Sequence, residues 1–261
     1  SKRIISNEFQ ESQIIFKSSG TEGIRSLHEL ADIELYKASF EYAYQKFVGS
    51  IENQVIIGLL PNYIEQGDSS LVYMVDSLMK KSKDKRSRFI LNDLEEIKNT
   101  LAQVQLTDKT LVLFGVAYSL LDLCGNDIDL SETIVIETGG MKGKRRELSK
   151  EALHLKLKKD LNITHLFSEY GMTELLSQAY CSSDFQFEAP PWMKMCIRDL
   201  SDPFTLLDDN IRGAVNIIDL ANVYSCSFIA TEDTGMSFGN KFQLKGRIQR
   251  SDLRGCNLLV E

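Results

Sequence analysis

Four stretches of this sequence carry residue types able to work on a nucleotide. Ser168-Glu169-Tyr170-Gly171-Met172-Thr173-Glu174 sets an aromatic, a hydroxyl and a carboxylate close together, just past an apolar run. At the carboxyl end of a parallel strand, where open α/β sheets hold nucleotides, Tyr170 could stack on a base. Thr173 could bond a phosphate oxygen and Glu174 could hold Mg²⁺; the same residues would equally make an ordinary strand-exit turn. Ser18-Ser19-Gly20-Thr21-Glu22-Gly23, read between a strand and a helix, offers small residues whose backbone N–H groups can approach an anion. It lacks the Gly-Lys-Ser/Thr ending of a Walker A loop, and Ser/Gly loops are often just turns. Thr138-Gly139-Gly140 either lets the backbone approach a flat ligand or makes a turn. The basic residues after it, Lys142, Lys144, Arg145 and Arg146, either screen phosphate charge or simply face water. Near the end stand Thr231-Glu232-Asp233-Thr234-Gly235, Gly246-Arg247 and Ser251-Asp252-Leu253-Arg254-Gly255-Cys256. A carboxylate such as Asp233 can take both hydroxyls of a ribose, and an arginine such as Arg247 can reach a phosphate or ribose oxygen.

The elements that must position these residues alternate along the chain. Apolar runs predict strands at Gln13–Phe16, Val55–Leu60, Leu111–Gly115, Thr133–Glu137 and His165–Phe167. Helical spacing predicts helices over Leu27–Phe47, Ser70–Lys80, Leu94–Val104 (capped by Asn92 or Asp93), Ala117–Leu123 and Lys150–Leu161. The charged run Lys80–Arg88 reads as a solvated connection. Continuous apolar strands separated by helices predict an α/β fold, mostly parallel sheets flanked by helices. After Glu174 short strands at Lys194–Ile197, Val215–Ile218 and Ser227–Ala230 follow without long helices, predicting a smaller β subdomain toward the C-terminus.

Bulk properties exclude several classes. The 261 residues are 43% hydrophobic and 26% charged, ordinary for a globular protein with a sizeable core. A net charge of -7 disfavours nucleic acid or an anionic membrane as a general partner. No apolar run approaches the ~20 residues of a membrane-spanning helix, so no integral membrane role is expected. Cys124, Cys181, Cys196, Cys226 and Cys256 form no CxxC pair, which points away from disulfide or zinc frameworks and toward a reducing cytoplasm. His28, His154 and His165 share no ligand spacing and read as surface or core-edge residues.

Taken together and in this order, the motifs resemble the adenylate-forming superfamily of acyl-CoA synthetases and their relatives. Ser18–Gly23 resembles that family's phosphate loop, Thr138–Gly140 its adenine-contacting strand end, and Tyr170–Glu174 its most specific motif. Thr231–Asp233 resembles the ribose motif and Gly246-Arg247 the start of the hinge; the resemblance runs from Phe16 to Glu261. Within the superfamily the sequence is more similar to bacterial acyl-protein synthetases of the bioluminescence type. The residues that carry this are Phe16–Thr21, Leu60-Pro61-Asn62-Tyr63-Ile64-Glu65 with Ser69–Met74, Glu137–Gly140 and Asp252–Asn257.

The resemblance implies the N-terminal domain fold of adenylate-forming enzymes. Residues 1–175 would be the α/β part with the phosphate loop and adenine motif, and 176–261 the smaller β-rich part with the ribose motif and hinge. The family's C-terminal lysine-bearing domain is read as absent after Glu261, and relatives carry a helical segment ahead of Phe16. ATP and Mg²⁺ are the implied cofactors, and a carboxylic, fatty acid the implied substrate. The acyl group would pass from acyl-AMP to a thiol of an acceptor protein, of CoA or of the chain itself. Ser18, Ser19, Gly20, Thr21, Gly23, Arg25, Gly139, Gly140, Tyr170, Gly171, Asp233 and Arg247 would bind the nucleotide. Thr173, Glu174 and Cys256 would serve the chemistry, with Glu174 on the metal and Cys256 as acyl acceptor. The loop departs from the pattern at Glu22, where a second Thr is usual, and at Ser26, where Lys is usual; Arg25 is then the expected source of positive charge. Two alternative readings are a CoA ligase resembling phenylacetate-CoA ligases and a non-catalytic nucleotide-binding scaffold.

Overall fold

A computed structural model describes residues 4–6, 8–9, 11–18, 26–61, 64, 67–91, 93–139, 148–182 and 184–248. The chain opens with a hairpin, β1 (Ile14–Lys17) antiparallel to β2 (Leu27–Leu30), with Lys17 opposite Leu27. The helix expected from Leu27 begins only at Ile33: α1 (Ile33–Phe47) is capped by Asp32, whose side chain accepts from the Glu34 N–H. The Asp32 cap stops helical backbone from running back to Leu27, and that segment pairs with β1 instead.

A parallel core follows. β3 (Gln54–Leu59) leads to α2 (Ser70–Ser82), β4 (Arg88–Phe89), α3 (Leu94–Gln105), β5 (Thr110–Val116), α4 (Ala117–Asp122), β6 (Ile134–Thr138), α5 (Lys150–Leu161) and β7 (His165–Tyr170). Ser69, Asp93 and Ser149 cap α2, α3 and α5 through their side chains. Part of the charged run Lys80–Arg88 is built into the fold rather than solvated. Arg86 pairs with Asp84, whose side chain is only 10% exposed, and Arg88 opens β4.

Side-chain alternation splits this core into two apolar layers. Val55, Ile57, Leu111, Leu113 and Val135 face α3, α4 and α5, against Ile97, Leu101, Leu120, Leu153 and Leu157. Ile56, Val112, Phe114 and Ile136 face α1 and α2, against Tyr36, Phe40, Tyr44, Met74 and Leu78. Each such fully buried side chain contributes roughly 1.5–3 kcal/mol, so the strand ends are held on a rigid base.

The later strands are β8 (Ala179–Cys181), β9 (Phe187–Glu188), β10 (Met193–Arg198), β11 (Gly213–Asp219), β12 (Phe228–Phe238) and β13 (Lys241–Arg247). They are antiparallel and have an apolar cluster of their own, including Phe187, Met193, Ile197, Val215, Ile217 and Phe242. Hydrogen bonding nevertheless runs through one 11-stranded sheet, in the order β10-β11-β12-β13-β9-β8-β7-β6-β5-β3-β4. β12 is longer than its apolar stretch predicts, and charged, weakly patterned β13 went unpredicted; both are stabilised by pairing with each other. The architecture is α/β, a large central sheet flanked by helices.

Candidate active site

The β1–β2 hairpin brings the ends of the small-residue loop together. The Ser18 N–H donates to the Ser26 carbonyl at 3.0 Å, and the Ser26 N–H donates to Ser18 Oγ at 2.8 Å. The loop therefore spans two antiparallel strands, and the expected helix N-terminus does not follow it. The Ser26 hydroxyl donates to Glu174 Oε1, tying the base of this loop to the carboxylate that ends the Tyr170–Glu174 motif. Position 26, read as a departure from the family pattern, is thus the contact that joins two motifs.

A second contact holds Glu174 from behind. Asn222 Nδ2 donates to the Glu174 carbonyl at 2.8 Å, and its Oδ1 meets His28 Nε2 at 3.2 Å. Next to it, the fully buried Asp219 carboxylate accepts from the Leu176 N–H (2.9 Å), the Ser177 N–H (3.0 Å), Ser177 Oγ (2.6 Å) and the Ala221 N–H (3.1 Å). Burial raises the Asp219 pKa above its ordinary value despite these donors, and burial lowers that of His28. His28 and His154 are buried rather than at the surface, whereas His165 is exposed. Sequence reasoning missed Asp219 and Asn222. The available signal was the Asp-x-x-Asn spacing of a capped turn.

On the other side of the motif, Tyr170 OH donates to Asp233 Oδ2 at 2.8 Å, joining the end of β7 to β12. Phe187 and Phe242 meet the Tyr170 ring edge-on, and burial together with the Asp233 charge pushes its hydroxyl pKa far up. Arg247 Nε lies 3.9 Å from Asp233 Oδ1, while its Nη2 bonds Glu232 at 2.7 Å. Tyr170, Asp233 and Arg247 are therefore brought together.

The paired ends of β6 and β7 present different chemistry on their two faces. Toward α5, Glu137 Oε2 accepts from Lys150 Nζ at 2.9 Å and Ser168 Oγ at 2.8 Å, and Ser168 Oγ meets His154 Nε2 at 2.9 Å. Burial opposes ionisation of Glu137, but Lys150, His154 and Ser168 outweigh it and hold its pKa below the ordinary value. Toward α1, Thr138 Oγ1 donates to Glu169 Oε2. Burial pushes the Glu169 pKa up to about 7; the Thr138 bond opposes this and the Glu137 charge adds to it. Gly139 ends β6 at φ +67°, a left-handed conformation that glycine adopts without strain.

Thr173 is half-buried and Gly171 exposed at the head of this arrangement. Ser18, Gly139, Tyr170, Gly171, Thr173 and Glu174 thus lie on or beside the carboxyl ends of β6 and β7 and the neighbouring hairpin, with Asp233 in the middle of β12 and Arg247 at the end of β13. Ser19, Gly20, Thr21, Gly23, Arg25, Gly140 and Cys256 lie outside the described residues. For Mg²⁺, Glu174 offers one hard oxygen donor beside Ser26, at the base of the β1–β2 hairpin. That fits an ion which takes one or two carboxylates together with phosphate oxygens and water. Among the described residues no cluster of three or more His, Cys, Asp or Glu forms an all-protein metal cage. No described helix is long and apolar enough to cross a membrane.

No family model matches the chain, and no curated protein matches it. Solved structures do. ATP-bound MatB from Rhodopseudomonas palustris superimposes with a TM-score of 0.67 at 18% identity, over 89% of this chain and 47% of that one. The amide bond synthetase McbA from Marinactinospora thermotolerans gives 0.64 at 15% identity, over 90% and 49%. O-succinylbenzoate Coenzyme A synthetase (MenE) from Bacillus subtilis, in complex with AMP, gives 0.62 at 15% identity, over 93% and 50%. The chain has the fold of the N-terminal domain of adenylate-forming enzymes and spans about half the length of these structures.

Proposed function

We propose that this protein activates a carboxylic acid with ATP as acyl-AMP and passes the acyl group to a thiol, in the manner of an acyl-protein synthetase acting on fatty acids. The observation that carries this reading is the Ser26–Glu174 bond, which sets the phosphate-loop base against the Tyr170–Glu174 motif while Tyr170 reaches Asp233. This supports a reading in which phosphate, ribose and base would follow one another along a single ligand.

In the first step a carboxylate oxygen attacks the α-phosphorus, the bond to the bridging oxygen breaks, and pyrophosphate leaves. Ser18, Ser19, Gly20, Thr21, Gly23 and Arg25 would hold the departing phosphates, and Thr173 the α-phosphate; such preplaced donors favour the charge that develops there. Glu174 would hold Mg²⁺, which when bound supplies neutralising charge to the phosphate oxygens. Gly139, Gly140 and Gly171 would give the base close backbone approach. Asp233 would take the ribose hydroxyls and Arg247 a ribose or phosphate oxygen. In the second step a thiolate attacks the acyl carbon, AMP leaves, and the thiol proton goes to solvent. Cys256 is the proposed acceptor. Residues 1–175 would supply the phosphate and adenine contacts and 176–261 the ribose contact and hinge.

The test is acid-dependent ATP–pyrophosphate exchange with Mg²⁺, across acetate, aromatic acids and fatty acids of increasing length. Exchange with one acid class, lost in Glu174→Gln, is expected. No exchange with any acid would refute adenylation, and AMP release that required CoA would replace the acyl-protein reading with a CoA ligase.

A further inference from the structure

Lys150 is the first residue of α5, directly after the Ser149 cap. A cation there faces the positive end of the helix dipole, which favours acidic side chains in that turn. Glu151, the next residue, follows the rule and Lys150 breaks it. The Lys150 side chain is also drawn in from water, with 32% of it exposed. Its ammonium donates to Glu137 Oε2 at 2.9 Å, and Glu137 is buried to 1% exposure.

This pair joins several elements at once. Glu137 is next to last in β6, just before Thr138 and Gly139, and lies opposite Ser168 of β7. The same Oε2 accepts the Ser168 hydroxyl at 2.8 Å, and Ser168 stands two residues before Tyr170, on the same face of β7. His154, one turn further along α5, meets Ser168 Oγ at 2.9 Å. Lys150 Nζ also lies 5.5 Å from the centre of the Phe187 ring, within cation–π range. Phe187 meets the Tyr170 ring edge-on, with centroids 6.0 Å apart, and stacks on Phe242 of β13 at 5.3 Å. One ammonium thus links α5 to the ends of β6 and β7 and to the aromatic wall beside Tyr170. Without it, Glu137 would keep only Ser168 and His154 against its own desolvation. A tie that merely fastened α5 would need no buried charge, since well-packed apolar residues do as well or better in such a place.

We propose that Lys150 is a positioning residue for the nucleotide: acting through Glu137 and Phe187, it holds the Thr138–Gly139 strand end and the Tyr170 ring at the spacing a purine base needs. The proposal rests on the adenylation reading, which puts the base beside these two groups. Lys150 itself touches neither base nor phosphate. The bond between Ser26 and Glu174, which would serve phosphate and metal, is not part of this network. Loss of the Lys150 charge is therefore felt as weaker ATP binding, with the chemical step and acid binding left as they are.

The experiment measures ATP–pyrophosphate exchange with the acid that gives the highest rate, varying ATP and acid in turn. Wild type is compared with Lys150→Met, Lys150→Arg, Glu137→Gln and the double variant Lys150→Met with Glu137→Gln. Urea titration establishes that each is folded at the assay temperature, and Lys150→Gln takes the place of the methionine variant should that one not fold. Lys150→Met is expected to raise the ATP KM about tenfold, with kcat and the acid KM within about twofold of wild type. Lys150→Arg, which keeps the cation, should stay within about threefold for ATP. The double variant should bind ATP no worse than the weaker single variant, because both residues act through one pair. An unchanged ATP KM in Lys150→Met overturns the proposal. So does a loss that falls on kcat or equally on the acid, one that Lys150→Arg shares, or additive losses in the double variant. If no acid supports exchange, adenylation itself has failed, and calorimetric ATP binding decides the positioning role alone. Weaker ATP binding to Lys150→Met but not to Lys150→Arg then supports it; equal binding to all, or none to wild type, refutes it.

Discussion

Replacing Glu169 by Gln should change how stability depends on pH, by an amount that follows from its burial. A carboxylate ordinarily titrates near 4.5; here burial and the Glu137 charge outweigh the Thr138 hydrogen bond and the Lys150 charge and place it at about 7. Between those values the folded protein holds a proton at Glu169 that the unfolded chain has released, so stability falls as pH rises through this window. The span from 4.5 to about 7 is about 2.5 pH units. At 1.36 kcal/mol per unit this is on the order of 3 kcal/mol, present in full below pH 4.5 and lost above pH 7. Glutamine mimics the protonated form and keeps an acceptor for Thr138. Glu169→Gln should therefore match wild type near pH 4.5 and exceed it by about 3 kcal/mol at pH 7.5. Urea unfolding of both proteins at half-unit steps measures this, because other titrating groups cancel in the difference. Parallel stability profiles, with the gap constant from pH 4.5 to 7.5, would refute the reasoning and show that water or a counter-charge satisfies the carboxylate.

Asp219→Ala should cost about 3–5 kcal/mol, since it strands the buried donors of Leu176, Ser177 and Ala221 that this carboxylate collects; a loss below about 1 kcal/mol in urea titration would count against the clamp. Asp233→Asn should weaken ATP by about ten- to a hundredfold by calorimetry, because one charge-assisted bond is worth about 1.5–3 kcal/mol. An unchanged Kd would remove Asp233 from ribose binding.

Much of the scaffold was legible because its signals are local. Helix α5 is legible from Lys150 to Leu161, as found, since its apolar spacing repeats within a few residues; the structure adds the Ser149 cap. The parallel core was legible for a related reason. Strands buried on both faces, such as Val55–Leu59 and Leu111–Val116, need apolar residues at every position, and that pattern does not depend on the partner strand. The hairpin at Leu27–Leu30 was misread as helix because a short strand and the first turn of an amphipathic helix share apolar spacing. Only the Asp32 cap and the pairing with β1 separate them.

The candidate site divides in the same way. Residue types and their order singled out Tyr170, Thr173, Glu174 and Asp233 as candidates, because an aromatic, hydroxyls and carboxylates in local groupings are legible along the chain. What joins the groupings could not be read along the chain. Ser26 meets Glu174 across 148 positions and Tyr170 meets Asp233 across 63. Asp219 and Asn222 clamp a segment more than forty residues away. Glu169 looked like one more polar letter in a turn. Its buried setting exists only because β6, β7 and β8 align Thr138, Gly171 and Tyr180 around it. Local periodicity and capping determine which segments become strands and helices. Which carboxylates are paired, buried or left open depends on desolvation and on partners, and these arise only when distant strands share a sheet.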